Sequence, residues 1–248
     1  MKKYTFPLLL LIHAGCALAQ NPTHGANLQV LAERIDADEK RLADWPEFAR
    51  YRDDDVRLAA PAPGEARVVF FGDSITDGWG RGAGEFFPGK PYVNRGISGQ
   101  TTPQMLVRFR ADVIALKPSA VVILAGTNDI AGNTGPSSLG MIEDNLASMA
   151  ELARANGIKV VLASVLPAAA YPWRASVRPA NTIRDLNAWI KAYCAREKWV
   201  YLDYYAAMTD DQGGLRSALS GDGVHPNTAG YAVMAPLAQR AIELALTH

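Results

Sequence analysis

Cysteine is scarce in this chain of 248 residues, and neither sign of charge is in excess. The two cysteines, Cys16 and Cys194, are too few for a framework of disulfides. Cys194 stands among apolar residues in a helical pattern, which predicts a buried structural thiol rather than a nucleophile. Lysine and arginine together number 25, aspartate and glutamate together number 25, and no long basic run occurs. We therefore expect no nucleic-acid partner.

An apolar run long enough to cross a membrane is missing as well. The candidate, in "MKKYTFPLLLLIHAGCALAQ", ends at Ile12 and is too short. It follows two lysines and precedes an Ala-Leu-Ala pattern, so residues 1–19 are predicted to be a signal peptide cleaved before Gln20. The alternative is a lipid anchor at Cys16. His13 stands where such signals carry a leucine-like residue, which favours soluble export to the periplasm or the medium.

Residues 20–65 are predicted to form an N-terminal helical extension that ends in a linker. The stretch "NLQVLAERIDADEKRLADW" places its apolar residues on a rough common face of a helix, and a shorter helix follows as far as Leu58. The stretch "APAPGEA", at residues 60–66, has the composition of a linker. Residues 66–248 then form the main domain.

The main domain alternates between short apolar runs and helical patterns. Runs of this kind, without polar alternation, are typical of parallel strands that are buried on both faces. Five are predicted, in "ARVVFFGD", "KPYVNRG", "SAVVILAGTND", "GIKVVLASVLP" and "WVYLDYY". The fold class is therefore α/β, a three-layer α/β/α sandwich around a five-stranded parallel sheet.

Small and polar residues follow the first three predicted strands. They are Gly72-Asp73-Ser74, Asn94-Arg95-Gly96 and the stretch "GTND" at 126–129. In sheets of this type, ligands bind just beyond the carboxyl ends of the strands. A fourth polar stretch, "SGDGVHPNTAGY" at 220–231, precedes the last helix. The sequence therefore predicts one functional edge of the sheet.

A serine nucleophile with its partners can be assembled at this edge. Ser74 needs a base within hydrogen-bond reach, and the base needs an orienting acid. His225 and Asp222 suit these roles, because Asp222 lies three residues before His225, and the short span, which includes a flexible glycine, allows the carboxylate to fold back onto the imidazole. The backbone N–H groups of Ser74 and Gly96 and the side-chain amide of Asn128 are candidate donors to an oxyanion.

The four polar stretches resemble the signature blocks of the SGNH, or GDSL-type, hydrolases, in the same order over residues 66–247. The matching stretches are "GDSIT", "NRGISGQTT", "GTND" and "DGVHPN". The resemblance implies a flavodoxin-like sandwich and ester hydrolysis. It implies that Ser74 is the nucleophile, Gly96 and Asn128 are oxyanion donors, His225 is the base and Asp222 is its partner. Ile75 stands where the family has leucine, a change that leaves the mechanism intact.

Other classes of site are excluded by their context. Gly78, Gly80 and Ala83 form a G-x-G-x-x-A pattern, but Gly72 holds the strand-to-helix turn where a dinucleotide loop begins. The G-x-S-x-G elbow of the α/β-hydrolases is absent. No set of His, Glu and Cys has metal-ligand spacing, so we expect neither a metal nor a cofactor.

The sequence favours a short acyl ester of a carbohydrate as substrate, with acetyl as the acyl group. Trp79, Tyr171, Trp173 and Arg174 are candidates to contact it, and Asp73 is a candidate either for the site or for holding the loop of the nucleophile. A lysophospholipase or thioesterase, and a non-catalytic carbohydrate-binding surface protein, remain alternatives.

Overall fold

The computed structural model describes residues 22–247 of the chain, which divide into two compact units between Asp44 and Trp45. The predicted signal peptide and Cys16 lie outside the described residues. Within the first unit, residues Pro22–Ala43 form helix α1, on which Leu28 and Ile35 are exposed. In the part of the chain that is described, no helix is long and apolar enough to cross a membrane.

The second unit contains a sheet of five strands within the described residues, and helices surround it. The strands are β1 (Val68–Gly72), β2 (Tyr92–Gly96), β3 (Ala120–Leu124), β4 (Lys159–Ala163) and β5 (Val200–Leu202). The longer helices are α2 (Ala49–Arg57), α4 (Thr102–Asp112), α6 (Leu139–Ala155), α7 (Ala180–Glu197) and α9 (Thr228–Thr247). Three short helices are α3 (Ser74–Asp77), α5 (Thr127–Ala131) and α8 (Tyr204–Met208), and single 3-10 turns occur at Ile114–Leu116 and Ser217–Leu219.

The sheet is entirely parallel, with strand order β2-β1-β3-β4-β5. The predicted α/β sandwich with a five-stranded parallel sheet is confirmed. The chain runs from β1 outward to β2 and then crosses back to β3 on the other side of β1. The loops that follow β1 and β3 therefore diverge to opposite faces and open a crevice between them, which is where ligands bind in this architecture.

The strands form because both of their faces are covered by apolar side chains. Val69 and Phe71 of β1 contribute to a core cluster with α4, α6 and α7, whereas Val68 and Phe70 contribute to a second cluster with α9. Successive residues point to opposite faces, and every residue of β1 is buried. Cys194 lies in the first cluster, and burial raises the pKa of its thiol to about 12, as expected for a structural cysteine.

Residues 45–65, the second part of the predicted helical extension and linker, belong to the compact unit that begins at Trp45. Tyr51 of α2 is 1% exposed, and its hydroxyl donates a hydrogen bond to the carbonyl of Gly96 at the end of β2. Asp55 forms an ion pair with Arg95 of the same strand. Helix α2 is therefore part of the body that carries the functional edge.

Candidate active site

Ser74 is the first residue of α3, at the point where β1 ends. Its hydroxyl is half-buried, and Asp73 caps the short helix by accepting a hydrogen bond from the backbone N–H of Ile75 at 3.0 Å. Gly72 has no room for a side chain, because a Cβ there would lie 2.1 Å from the hydroxyl of Thr76 and 2.8 Å from a backbone carbonyl of β3. The G-D-S order thus permits a tight turn, caps the helix and presents the hydroxyl.

His225 and Asp222 form a continuous chain of hydrogen bonds with Ser74. The Ser74 Oγ lies 2.9 Å from His225 Nε2, and His225 Nδ1 lies 2.7 Å from Asp222 Oδ2. The two loop side chains are 39% and 42% exposed, so this half of the site is open to solvent. The structure brings together the three residues that the sequence selected, in the order hydroxyl, imidazole and carboxylate.

Hydrogen bonds keep the carboxylate of Asp222 in its ionised form. Partial burial opposes the charge, but hydrogen bonds from the side chain and backbone of His225 and from the backbone of Val224 outweigh it and lower the pKa of Asp222 to about 2. The backbone N–H groups of Val224 and His225 both donate to Asp222 Oδ1, and the Ser220 hydroxyl donates a third hydrogen bond to that atom at 3.1 Å. The loop folds the carboxylate onto the imidazole with its own N–H groups.

Asn128 lies in the first turn of α5, just beyond β3, and is 3% exposed. Its side-chain Nδ2 donates to the carbonyl of Gln100 at 3.0 Å and lies 3.4 Å from the carboxylate of Asp73. Its Oδ1 accepts a hydrogen bond from Asn133 at 2.8 Å. The amide is therefore fixed between the loops that follow β1, β2 and β3.

Gly96, the predicted backbone donor, is placed differently from the expectation. Its N–H already donates to Asn94 Oδ1 at 2.9 Å, and a Cβ there would lie 2.1 Å from the backbone nitrogen of Asp77. The glycine is needed so that β2 can approach α3. Because its N–H is engaged within the fold, Gly96 is a poor candidate for an oxyanion donor.

Gly99, which sequence reasoning missed, is a better candidate donor. It is exposed on the loop after β2, has φ of +82°, and its N–H has no hydrogen-bond partner among residues 22–247. The backbone N–H of Ser74 is likewise without a partner in that range. The signal in the sequence was the second glycine of "NRGISGQTT", whose left-handed backbone suits glycine.

Two further aspartates, Asp73 and Asp129, lie beneath the site. Burial raises the pKa of Asp73 to about 6, against the opposing effects of its hydrogen bond from Ile75 and the nearby His225. Burial also raises the pKa of Asp129, which accepts hydrogen bonds from the backbone and hydroxyl of Thr102 at the start of α4. Asp129 thereby joins α5 to the N-terminus of α4, where a carboxylate is favourable.

The four predicted substrate contacts divide into two exposed and two buried side chains. Trp173 is 41% exposed, its ring centre lies 6.0 Å from that of His225, and the neighbouring Arg174 is also exposed. Tyr171 is fully buried and stacks against Trp173, with no hydrogen-bond partner for its hydroxyl among the described residues. Trp79 is 2% exposed and packs against aromatic rings under α9. Substrate contact by Trp79 and Tyr171 is therefore wrong, because neither ring is accessible.

Metal ligands are not clustered in the part of the chain that the structure describes. Within residues 22–247 no group of three or more His, Cys, Asp and Glu side chains converges on one point. The polar side chains at the functional edge instead hydrogen-bond to one another and to backbone groups.

Comparison with known proteins identifies the family. Residues 70–233, about two thirds of the chain, match the model of the GDSL-like Lipase/Acylhydrolase family. The chain belongs to this family. The match includes Ser74, Asn128 and His225 and covers all five strands except the first residues of β1. Membership of the GDSL-like family indicates a carboxylic ester hydrolase.

Three relatives illustrate the range of this GDSL-like family. The crystal structure of a GDSL-like lipase from Bacteroides thetaiotaomicron matches 81% of this chain and 98% of that chain, with 48% sequence identity and a TM-score of 0.78. Esterase TesA of Pseudomonas aeruginosa is 34% identical over 55% of this chain and 62% of its own. An acetylxylan esterase of Geobacillus stearothermophilus is 37% identical over 26% of this chain and 40% of its own. The match thus spans less than two thirds of the length of these two curated relatives.

Proposed function

We propose that this protein is a serine ester hydrolase in which Ser74, His225 and Asp222 act as nucleophile, base and orienting acid. The observation that carries the proposal is the unbroken chain of hydrogen bonds between them, with lengths of 2.9 and 2.7 Å. Family membership supports the reaction class, and the position of Ser74 at the crevice between β1 and β3 supports access for a substrate.

The proposed reaction proceeds through an acyl-enzyme. Ser74 Oγ attacks the ester carbonyl while His225 Nε2 accepts its proton, and the tetrahedral oxyanion receives hydrogen bonds from backbone N–H groups and the Asn128 amide. His225 then protonates the leaving alcohol as the ester C–O bond breaks. Water then attacks the carbonyl of the acyl-enzyme while His225 accepts its proton. The bond between Ser74 Oγ and the acyl group breaks as His225 returns that proton to Ser74. Asp222 holds Nδ1–H throughout, which keeps Nε2 available as the base.

The backbone donors that we propose are the N–H groups of Ser74 and Gly99. Both lack a partner among residues 22–247, whereas that of Gly96 is engaged by Asn94. Gly99→Ala would strain the left-handed backbone at φ of +82° and displace the donor. We expect it to lower kcat for p-nitrophenyl acetate, and a variant with wild-type kcat would contradict this assignment.

Hydrolysis of p-nitrophenyl acetate by the wild type and by Ser74→Ala tests the serine mechanism. The wild type should turn over and the variant should lose activity by several orders of magnitude, because the nucleophile is removed. Ser217→Ala, a serine in the 3-10 turn at Ser217–Leu219, serves as the matched control. Equal turnover by the wild type and Ser74→Ala would reject the serine mechanism, and no turnover by either would favour the non-catalytic, carbohydrate-binding alternative.

For the substrate, we propose a short acyl group, acetyl above all, on a carbohydrate. The exposed ring of Trp173 beside His225 offers a flat apolar face to a sugar, and Arg174 adds donors for its hydroxyl groups. Similarity to an acetylxylan esterase supports the same substrate class. A series of p-nitrophenyl esters from acetyl to decanoyl should show kcat/KM falling with chain length. A clear preference for eight or more carbons would favour the lysophospholipase or thioesterase alternative.

We also propose that the protein is exported after removal of residues 1–19. The support is the order of lysines, apolar residues and Ala-Leu-Ala in the sequence. Mass spectrometry of the protein recovered from the periplasm or medium should show a chain that begins at Gln20. A membrane-bound product carrying lipid on Cys16 would replace soluble export with the lipoprotein alternative.

A further inference from the structure

We propose that Asn133 is a positioning residue that sets the direction of the Asn128 amide, and that Trp173 sets the direction of Asn133. The proposal rests on the proposed function, because it concerns the oxyanion donor of the same site. Neither the signature blocks nor the catalytic chain of hydrogen bonds includes Asn133.

The local fold places Asn133 beside Asn128. Helix α5 ends at Ala131 and is followed by Gly132, whose φ of +72° is left-handed. The N–H of Gly132 donates to Asp129 O at 2.9 Å, and the N–H of Asn133 donates to Asn128 O at 3.0 Å. This pair of bonds is a Schellman motif, which reverses the chain at a helix C-terminus. The reversal returns the Asn133 side chain to the first turn of the five-residue helix.

The hydrogen bonds then run in one direction from the surface to the site. An indole N–H can only donate, and Trp173 Nε1 lies 3.1 Å from Asn133 Oδ1. The other end of the Asn133 amide must therefore be its NH2 group, which donates to Asn128 Oδ1 at 2.8 Å. Since Asn128 Oδ1 is an acceptor here, its Nδ2 is the atom that lies 3.0 Å from the carbonyl of Gln100 and 3.4 Å from the carboxylate of Asp73. An amide NH2 group carries two hydrogens, and the one toward Asp73 is held only at the outer limit of a hydrogen bond, so this is the hydrogen that we assign to the oxyanion.

The same NH2 group also reaches the backbone loop that carries the second proposed donor. Asn133 Nδ2 lies 3.4 Å from the carbonyl of Gly99, at the outer limit of a hydrogen bond. One half-buried side chain thus contacts the Asn128 amide, the Gly99 loop and the exposed Trp173 ring. A substrate that binds on the Trp173 ring would therefore contact the first residue in the chain of hydrogen bonds from Trp173 through Asn133 to Asn128.

The decisive experiment compares three substitutions in the full-length enzyme with p-nitrophenyl acetate. Asn133→Asp keeps the size and the acceptor for Trp173 but presents oxygen to Asn128 Oδ1, so the Asn128 amide must turn its NH2 away from the site. We expect kcat to fall about 100-fold in Asn133→Asp, about tenfold in Asn133→Ala and about threefold in Trp173→Phe, with KM within twofold of the wild type.

Two measurements separate positioning from simple loss of fold. Phenylboronic acid forms a tetrahedral adduct with an active serine, and its affinity should fall in the same order as kcat. The activity of Asn133→Asp relative to the wild type should rise as the pH is lowered, because a protonated carboxyl can donate to Asn128. Asn156→Ala, at the exposed C-terminal end of α6, is the matched control and should change neither quantity.

The outcomes distinguish this inference from the proposed function. If Ser74→Ala retains wild-type turnover, both are wrong. If Ser74→Ala is inactive while Asn133→Asp and Asn133→Ala match the wild type in kcat and boronic acid affinity, only the inference is wrong. An Asn133→Asp variant that is no worse than Asn133→Ala at neutral pH would also overturn it, because the direction of the amide would then be immaterial.

Discussion

Two aspartates flank the Ser74–His225 pair, and their surroundings differ in almost every respect. Asp73 is 1% exposed, caps α3 and has its pKa raised to about 6, mainly by burial. Asp222 is 42% exposed, lies on a loop and has its pKa lowered to about 2, because hydrogen bonds outweigh the penalty of partial burial. Proximity to Ser74 in the sequence therefore does not identify the carboxylate that hydrogen-bonds to His225.

The difference shows how the two halves of the site are stabilised. The half made of Asp73 and Asn128 lies at the ends of β1 and β3, where Asp73 caps α3, and solvent is excluded from it. The half made of Asp222 and His225 is organised by hydrogen bonds within six residues of loop. Charge is tolerated in the exposed half and disfavoured in the buried half.

The largest effect should come from the exposed half. His225→Ala removes the base, and we expect kcat/KM for p-nitrophenyl acetate to fall by about 10⁵-fold. Asp222→Asn should cost about 10³-fold, because its NH2 group would face His225 Nδ1 and leave the proton on Nε2, the wrong tautomer for a base. A silent Asp222→Asn would reduce the site to a Ser-His pair and remove the contrast between the two aspartates.

A second effect should appear in stability as a function of pH. The folded-state pKa of Asp73, about 6, lies above its ordinary value of 3.8, so its stabilising contribution is complete below pH 4 and is lost as the pH rises through 6. The free energy of unfolding of the wild type relative to Asp73→Asn should fall by about 3 kcal/mol between pH 4 and pH 7. Urea unfolding at several pH values measures it.

The matched variant for that measurement is Asp222→Asn, whose pH dependence should have the opposite sign. The lowered pKa of Asp222 contributes stability above pH 4 that is lost as the pH falls through about 2.

The Asp73→Asn variant retains the side-chain oxygen that caps α3, so the cap itself is preserved. Parallel pH profiles for the wild type and Asp73→Asn would contradict the burial argument.

The smallest effect should come from Ser220, which is 6% exposed beneath the loop. Its Oγ donates to Asp222 Oδ1 at 3.1 Å and accepts from the N–H groups of Asp222 at 3.3 Å and Gly223 at 2.9 Å. Ser220→Ala removes all three hydrogen bonds, and we expect kcat/KM to fall two- to tenfold. A loss as large as that of Asp222→Asn would mean that the loop, and not the carboxylate, limits catalysis.

The sequence predicts the strands well, and it selects the three side chains that the structure joins by hydrogen bonds, because both signals are local. Each strand is a short apolar run, and Ser74, Asp222 and His225 stand in polar stretches next to turns. The range of helix α4 is not evident from the sequence, because its buried face carries Arg108, Gln104 and Asp112 beside Met105, which hides the apolar period. Arg108 is satisfied there by Asp112 and by backbone carbonyls of β1 and β2, which no local pattern reveals.

The substrate contacts and the backbone donor were harder to predict because they depend on burial and on hydrogen-bond partners. Trp79 and Trp173 are both tryptophans near glycine or proline in the sequence, yet one is 2% and the other 41% exposed. Gly96 and Gly99 stand three residues apart in the sequence, but the Gly96 N–H is bonded to Asn94 and buried, whereas Gly99 is exposed with φ of +82°. Such distinctions arise from tertiary contacts between distant segments.

The contact of α2 with β2 has a consequence for the smallest piece of this chain that can fold. The family match begins at residue 70, but a chain cut there would lose Tyr51 from the carbonyl of Gly96 and Asp55 from the nearly buried Arg95. A buried cation that loses its partner costs about 3–5 kcal/mol, a large share of the stability of a domain. In a series of N-terminal truncations, activity should be lost once the cut enters α2, well before the border at residue 70 that the family pattern suggests.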